Sequence, residues 1–165
     1  MAAALARPMT MLRPAGPDDT ETVYAILSKS MRLTWSWDAI CAELGSNLAA
    51  RVLLAEEEGE AAGCIHWWTV FDEAQIMNLA VRPVYRRRGI ARLLLDAAIR
   101  SARGEGATAV VLEVRAGNAP AIELYTAAGF RTVAVRPGYY EDTGEDALIM
   151  RLEAGENLDF SCNLP

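Results

Sequence analysis

Two periods of hydrophobic and polar positions divide this chain, one of two residues and one of about 3.6, and they predict eleven elements. Residues 9–13 form a short first strand, ended by Pro14 and the Gly16-Pro17 turn. A helix capped by Asp18 or Asp19 follows to about Met31, with Val23, Ile26 and Leu27 on its inner face. Ser36 is placed to cap a second helix through Leu44, which Gly45 closes. Arg51–Ala55 and Ala62–Phe71 are antiparallel neighbours joined across Glu56–Glu60, and Ala74–Val81 pairs back across the Asp72-Glu73 turn. Pro83 ends that strand, since proline has no N–H to give to a sheet. From Ile90 the period becomes helical, with Ile90, Leu93, Leu94, Ala97 and Ala98 on one face and Arg92, Asp96 and Arg100 outside. Gly104 and Gly106 end this helix, and Ala109–Val114 is the next strand. Asn118 caps a short helix through Ala128, with Pro120 tolerated in its first turn and Gly129-Phe130 as a left-handed stop. Arg131–Arg136 and Ala147–Leu152 finish as strands, separated by Pro137–Asp146.

The order β-α-α-β-β-β-α-β-α-β-β predicts a mixed α/β fold, a sheet with helices packed on both faces. A length of 165 residues predicts one domain over residues 9–153, between a flexible extension at 1–8 and a loose tail at 154–165. Composition narrows the class. Hydrophobic residues make up 52% of the chain, yet no run approaches the length that spans a bilayer, so no membrane association is expected. Residues 1–8 lack the basic start and apolar middle of a signal peptide. Cys41, Cys64 and Cys162 are odd in number and lack metal-ligand spacing, which predicts a reduced, cytoplasmic chain with no metal. The net charge of −6 argues against broad affinity for nucleic acid and suits a basic protein or peptide partner.

Against that acidic background, Arg86-Arg87-Arg88-Gly89-Ile90-Ala91 is a local positive spot at a strand-to-helix corner. A helix start exposes unpaired N–H groups and a partial positive charge, so it attracts anions. Gly89 lets that backbone approach a bulky ligand, and Ala91 keeps the next turn small. Together these features describe a pyrophosphate seat. The plainer alternative is that three arginines are a solvated charge run. No Gly-Lys-Ser/Thr is present, and no Gly-x-Gly-x-x-Gly opens a helix, so neither nucleotide fingerprint applies.

Several side chains are candidates for chemistry. Glu113 stands in Val110-Val111-Leu112-Glu113-Val114, where a carboxylate is costly unless it has a task or a partner. It is either a base or half of an ion pair with an arginine such as Arg115 or Arg131. Tyr125 shares a helix face with Ile122, which fits simple packing. Asn118 fits its role as a helix cap. Cys64 lies in an apolar strand without a lysine or paired histidine nearby, so an inert buried thiol is expected. His66 alternates with Cys64 and Trp68 on one strand face and stands as a reserve candidate.

The Arg86-x-x-Gly89-x-Ala91 stretch resembles the acyl-CoA loop of the GNAT superfamily of N-acetyltransferases, whose pattern is Gln/Arg-x-x-Gly-x-Gly/Ala. The element order is similar to the GNAT fold over residues 9–153. Within that superfamily the chain resembles the RimI-type ribosomal-protein alanine N-acetyltransferases. The matching stretches are Trp35-Ser36, Asn78-Leu-Ala-Val, the Arg86–Ala91 loop, Leu112-Glu-Val-Arg115, Asn118–Phe130, and Tyr139-Tyr140 with Glu145–Met150. The resemblance implies a mostly antiparallel sheet of six to seven strands and acetyl-CoA as co-substrate. It implies that Arg86, Arg87, Arg88, Gly89, Ile90, Ala91, Asn118 and Tyr125 contact that co-substrate. Leu79, Ala80 and Val81 would run beside its pantetheine arm, with the N–H groups of Leu79 and Val81 facing it. Glu113 is then the base, Tyr125 the acid at the sulfur, and Trp35, Tyr139 and Tyr140 flank the acceptor peptide. The activity implied is acetylation of the N-terminal alanine of a small-subunit ribosomal protein by a monomer or weak dimer. Acetylation of a small amine or lysine, and a non-catalytic CoA-binding module, are the alternatives.

Overall fold

The computed structural model describes residues 9–30 and 35–153. The expected extension at 1–8, the tail at 154–165, Cys162 and the helix end at Met31 lie outside the described residues. The elements are β1 (Thr10–Pro14), α1 (Thr20–Ser30), α2 (Trp37–Gly45), β2 (Ala50–Glu57), β3 (Glu60–Val70), β4 (Glu73–Val81), α3 (Ile90–Gly104), β5 (Ala109–Arg115), α4 (Ala119–Ala127), β6 (Arg131–Tyr140) and β7 (Glu145–Glu153). They follow the predicted order. The seven strands lie in one hydrogen-bonded sheet, β1-β2-β3-β4-β5-β7-β6, mixed because β4 and β5 run parallel. The chain divides into two compact units, one of residues up to Trp68 with Asn78–Ala98, the other of Thr69–Met77 with Ile99 onward.

In the first unit, β2 and β3 form a hairpin whose two turn residues, Glu58 and Gly59, both have positive φ (53° and 82°). That is the turn whose twist matches the strands it joins. Val23, Ile26 and Leu27 of α1, Ile40 of α2, Val52 and Leu54 of β2, Cys64 of β3 and Ala80 of β4 close a buried cluster. The Ser36 hydroxyl accepts from the Ala39 N–H at 3.2 Å and caps α2 as expected. Asp19 does not cap α1. A short 3-10 turn over Pro17–Asp19 comes first, and the Asp19 carboxylate accepts from the Gly16 N–H and pairs with Arg13 at 2.8 Å. A Cβ on Gly63 would lie 2.7 Å from the Ala80 carbonyl oxygen, so β3 approaches β4 closely at that point.

On α3 the buried face runs through Ile90, Leu94, Leu95, Ala98, Ile99 and Ala102, while Leu93 is 37% exposed. The expected stripe, with Leu93 and Ala97 on it, is displaced by about a residue. At 100° per residue, a stripe centred on Leu94 and Ala98 brings in Leu95 and Ile99 and turns Leu93 outward.

In the second unit, β7 pairs antiparallel with β5 on one side and β6 on the other. Asn118 caps α4 by accepting from the Ala121 N–H at 3.3 Å. Gly129 (φ 93°) ends it, with the Phe130 N–H donating back to the Tyr125 carbonyl at 3.0 Å. The largest departure from the sequence reading is β6, which continues through Pro137 and Gly138 to Tyr140. Proline is tolerated there because β6 is the edge strand and its missing N–H breaks no ladder. The register slips between Arg136 and Tyr140, Gly138 adopts φ 59°, and the Gly138 N–H donates to Asp146 at 2.9 Å.

Candidate active site

The expected site residues fall into two groups. Arg86–Ala91, Leu79–Val81 and Trp35 belong to the first unit, and Glu113, Asn118, Tyr125, Tyr139 and Tyr140 to the second.

Register explains how the second group assembles. Glu113 of β5 and Ala134 of β6 both pair with Ile149 of β7, so their side chains share one face of the sheet. Arg136, two residues beyond Ala134, points to that face too, and its Nη1 lies 3.0 Å from Glu113 Oε1. The Glu113 side chain is 21% exposed, whereas Leu112 and Val114 on the opposite face are buried. The bulge that carries β6 past Pro137 delivers Tyr139 beside Glu113, and the neighbouring carboxylate holds its phenol above its ordinary pKa. Tyr139 meets Tyr140 edge-on at 5.2 Å, and the Arg115 guanidinium lies over the Tyr140 ring at 3.9 Å. Asp142 and Glu145 hold Arg115 in turn, at 3.1 and 3.8 Å. Of the ion-pair partners expected for Glu113, neither Arg115 nor Arg131 is the one that forms.

Tyr125 is 8% exposed and packs against Phe130 at 5.9 Å. Burial, with Tyr140 adding to it, pushes its phenol up to about 12. Such a group stays protonated throughout the physiological range and is a donor there, never a base.

In the first unit the corner has the backbone an anion seat needs. Arg87 (φ 62°) and Gly89 (φ 85°) are both left-handed, and such residues turn successive N–H groups towards one side. The Gly89 carbonyl accepts from the Leu93 N–H at 3.0 Å and so opens α3. A Cβ on Gly89 would meet no protein atom within 4 Å, so the space beside it is open for a ligand. The parallel ladder of β4 with β5 runs from Glu73↔Ala109 to Ile76↔Leu112 and ends there. Leu79 and Val81 lie beyond that end.

His66 sits in a buried network that sequence reasoning did not assemble. Its Nε2–H donates to Glu43 of α2 at 2.8 Å, and its Nδ1 accepts from the Asn78 amide at 3.4 Å. Trp68 Nε1–H also donates to Glu43, at 2.6 Å, and Trp35 packs edge-on to the imidazole at 5.2 Å. Trp35 therefore has a packing role whether or not it meets an acceptor. Glu43 gives no local signal of this role, because the His66 and Trp68 that donate to it are more than twenty residues away in sequence. Burial pushes the Cys64 thiol up to about 12, which leaves it no thiolate at neutral pH, as expected of an inert core cysteine.

Burial also holds the imidazole of His66, 3% exposed, below its ordinary 6.5, against the pull of Glu43. Below pH 6.5 the unfolded chain binds a proton that the folded chain refuses. The stability this supplies is complete above that pH and is lost as pH falls towards the folded value. The urea midpoint of the native chain should therefore drop more steeply than that of His66→Gln between pH 7.5 and about 5. Asp19, held low by Arg13, adds a loss only below its ordinary 3.8, outside that window. Parallel curves for the two proteins would refute the assignment.

The mixed seven-stranded fold is that of an acyltransferase class, and the family comparison gives the class directly. The profile of the acetyltransferase (GNAT) family matches residues 18–130, and the chain belongs to that family. It is an N-acetyltransferase. A Bacillus subtilis (strain 168) relative whose name gives ribosomal protein bS18-alanine N-acetyltransferase as a provisional activity is 37% identical over 84% of this chain and 92% of its own. The ribosomal protein bS18-alanine N-acetyltransferase of Escherichia coli K12 is 35% identical over 81% of this chain and 90% of its own. The crystal structure of the ribosomal-protein-S18-alanine N-acetyltransferase from Escherichia coli superposes with a TM-score of 0.82 at 31% identity, covering 95% of this chain and 99% of that one. No helix among the described residues is long and apolar enough to cross a membrane.

Proposed function

We propose that this chain transfers the acetyl group of acetyl-CoA directly to the α-amine of a protein N-terminus, the first-choice acceptor being the N-terminal alanine of a small-subunit ribosomal protein. The observation that carries the reading is the placement of Glu113, the one carboxylate of an apolar strand, on the sheet face where Arg136 of β6 meets it at 3.0 Å, beside the Tyr139-Tyr140 pair. The relatives' named activity supports the choice of acceptor.

The co-substrate supplies an activated thioester. The Arg86–Ala91 loop fits its pyrophosphate, with left-handed residues at 87 and 89 and open space above Gly89. Leu79, Ala80 and Val81 serve its pantetheine arm through backbone groups, and the amide of Asn118 contacts it as well as capping α4. Glu113 takes the proton released by the attacking amine as the N–C bond forms. Tyr125 gives its proton to the sulfur as the C–S bond breaks, and its high pKa ensures that the proton is there to give. The N–H groups of Leu79 and Val81 polarise the thioester carbonyl.

The chemistry of the acceptor favours an α-amine. With a pKa near ~8, about one in ten α-amines is neutral at pH 7, against fewer than about one in a thousand lysines at ~10.4. A single carboxylate base therefore has much less to do for an N-terminus. Trp35, Tyr139 and Tyr140 are assigned to the acceptor's first residues, where a small side chain such as alanine fits and a bulky one clashes. A short peptide beginning with alanine should be acetylated at least about tenfold faster than its N-terminally blocked, lysine-containing twin. Faster turnover of the blocked peptide or of a polyamine would leave the family and remove this acceptor.

A further inference from the structure

The three arginines of the corner look interchangeable in sequence, but their side chains are committed differently. Arg88 is spent on both sides. Its Nη1 donates to Glu57 Oε2 at 2.9 Å, its Nη2 donates to the Val84 carbonyl at 3.0 Å, and its guanidinium carbon lies 5.2 Å from the centre of the Tyr85 ring. Glu57, at the end of β2, is 4% exposed, and its other oxygen accepts from the Thr10 hydroxyl at 3.0 Å. A carboxylate that deep is strongly destabilising without its cation, so Arg88 cannot swing out to a phosphate without leaving Glu57 uncompensated. Arg86 donates its Nε to the Val81 carbonyl at 3.0 Å and keeps its outer amino groups. Arg87 is exposed and, among the described residues, has no hydrogen bond or ion pair. Its own backbone is the strained one, at φ 62°. A non-glycine residue holds that conformation only where its surroundings over-determine it. The clamp on the next residue, Arg88, is the available constraint.

We infer that Glu57 is a positioning residue for the cofactor loop. Through Arg88 it fixes the loop in the shape that aims the backbone at Gly89 and presents Arg87, with the outer amino groups of Arg86, as the cations that meet the phosphates. The inference rests on the acetyl-CoA reading above and divides its arginines. Arg87 is a ligand, and Arg88 is a post.

Calorimetric titration with acetyl-CoA at low and high salt separates these roles, because only a group that faces phosphate carries the screening. Glu57→Gln should weaken acetyl-CoA about tenfold through lost pre-organisation, with kcat at saturating acetyl-CoA within about twofold and the native salt dependence kept. Arg88→Met should do the same to affinity and salt dependence. The double variant should be no weaker than Arg88→Met alone, since the two residues act as one unit. Arg87→Met should weaken binding and flatten its salt dependence. Arg88→Lys, which keeps a cation on Glu57, is the milder variant and should recover most of the affinity lost in Arg88→Met. The proposal is overturned if Arg88→Met flattens the salt dependence as Arg87→Met does. It is also overturned if Glu57→Gln melts lower yet binds acetyl-CoA normally, or if a folded Arg88→Lys binds as poorly as Arg88→Met. Native protein that takes up no acetyl-CoA would instead overturn the cofactor reading itself, before any variant is compared.

Discussion

Glu113→Gln should lower kcat by about 10²–10⁴-fold, the usual worth of a positioned general base, while acetyl-CoA affinity stays as it was. Glutamine keeps the size of the side chain, and at 21% exposure the site tolerates it without a packing defect. The Arg136 side chain left behind is 52% exposed, so water compensates its charge. A collapse of turnover in a stably folded variant is therefore a loss of chemistry. The deficit should shrink as pH rises past the α-amine pKa of ~8, where the acceptor no longer needs a base. Arg136→Gln is the comparison that separates base from ion pair. If Glu113 only braces β5 against β6, breaking the pair from either side should have the same mild effect on rate and melting. If it is the base, Arg136→Gln should fall far short of the Glu113→Gln loss. Equal, small losses in both would assign Glu113 to structure.

Local signals carried the fold further than the site. Turn and cap residues act within four positions of themselves, so Ser36, Asn118 and Gly129 could be read directly from their neighbours, while the expected connection over Glu56–Glu60 tightens to the two residues Glu58-Gly59. Glu113 was legible for a similar reason, since a carboxylate among valines and leucines stands out within five residues. Its partner was not. Arg136 reaches Glu113 only because both β5 and β6 register against Ile149, and a strand pairing of that kind has no local signature. Pro137-Gly138 misled for a physical reason too. Proline and glycine end strands in a sheet interior, but on an edge strand they make a bulge, and edge status is a property of the whole sheet. The network around His66 joins α2, β3 and β4 through single hydrogen bonds, so no spacing could announce it. The same holds for the split among the arginines, because Glu57 lies 31 residues from Arg88.

Gly89→Val should abolish measurable acetyl-CoA binding, by about 10²-fold or more, in a protein that still folds. Gly89 has φ 85°, which valine adopts only under strain, at about 1–3 kcal/mol. A domain with the usual stability of about 5–15 kcal/mol survives that loss. No protein atom lies within 4 Å of the added Cβ, so no clash inside the fold compounds it. Binding has no such margin. Any relaxation of the strain rotates the peptide units on either side of residue 89, and those carry the N–H groups that the proposed seat would offer to the phosphates. A charge-assisted hydrogen bond to phosphate is worth roughly 1.5–3 kcal/mol, so the removal of two already accounts for the expected fall. The branched side chain also occupies the open space that the ligand would fill. Gly106→Val, just past the other end of α3, is the matched control, since Gly106 has φ 98° and equally open surroundings. It should melt lower by a similar amount and bind acetyl-CoA like the native chain. If Gly89→Val folds and its calorimetric titration matches that of the native protein, the corner is a charge run and the acyl-CoA seat lies elsewhere.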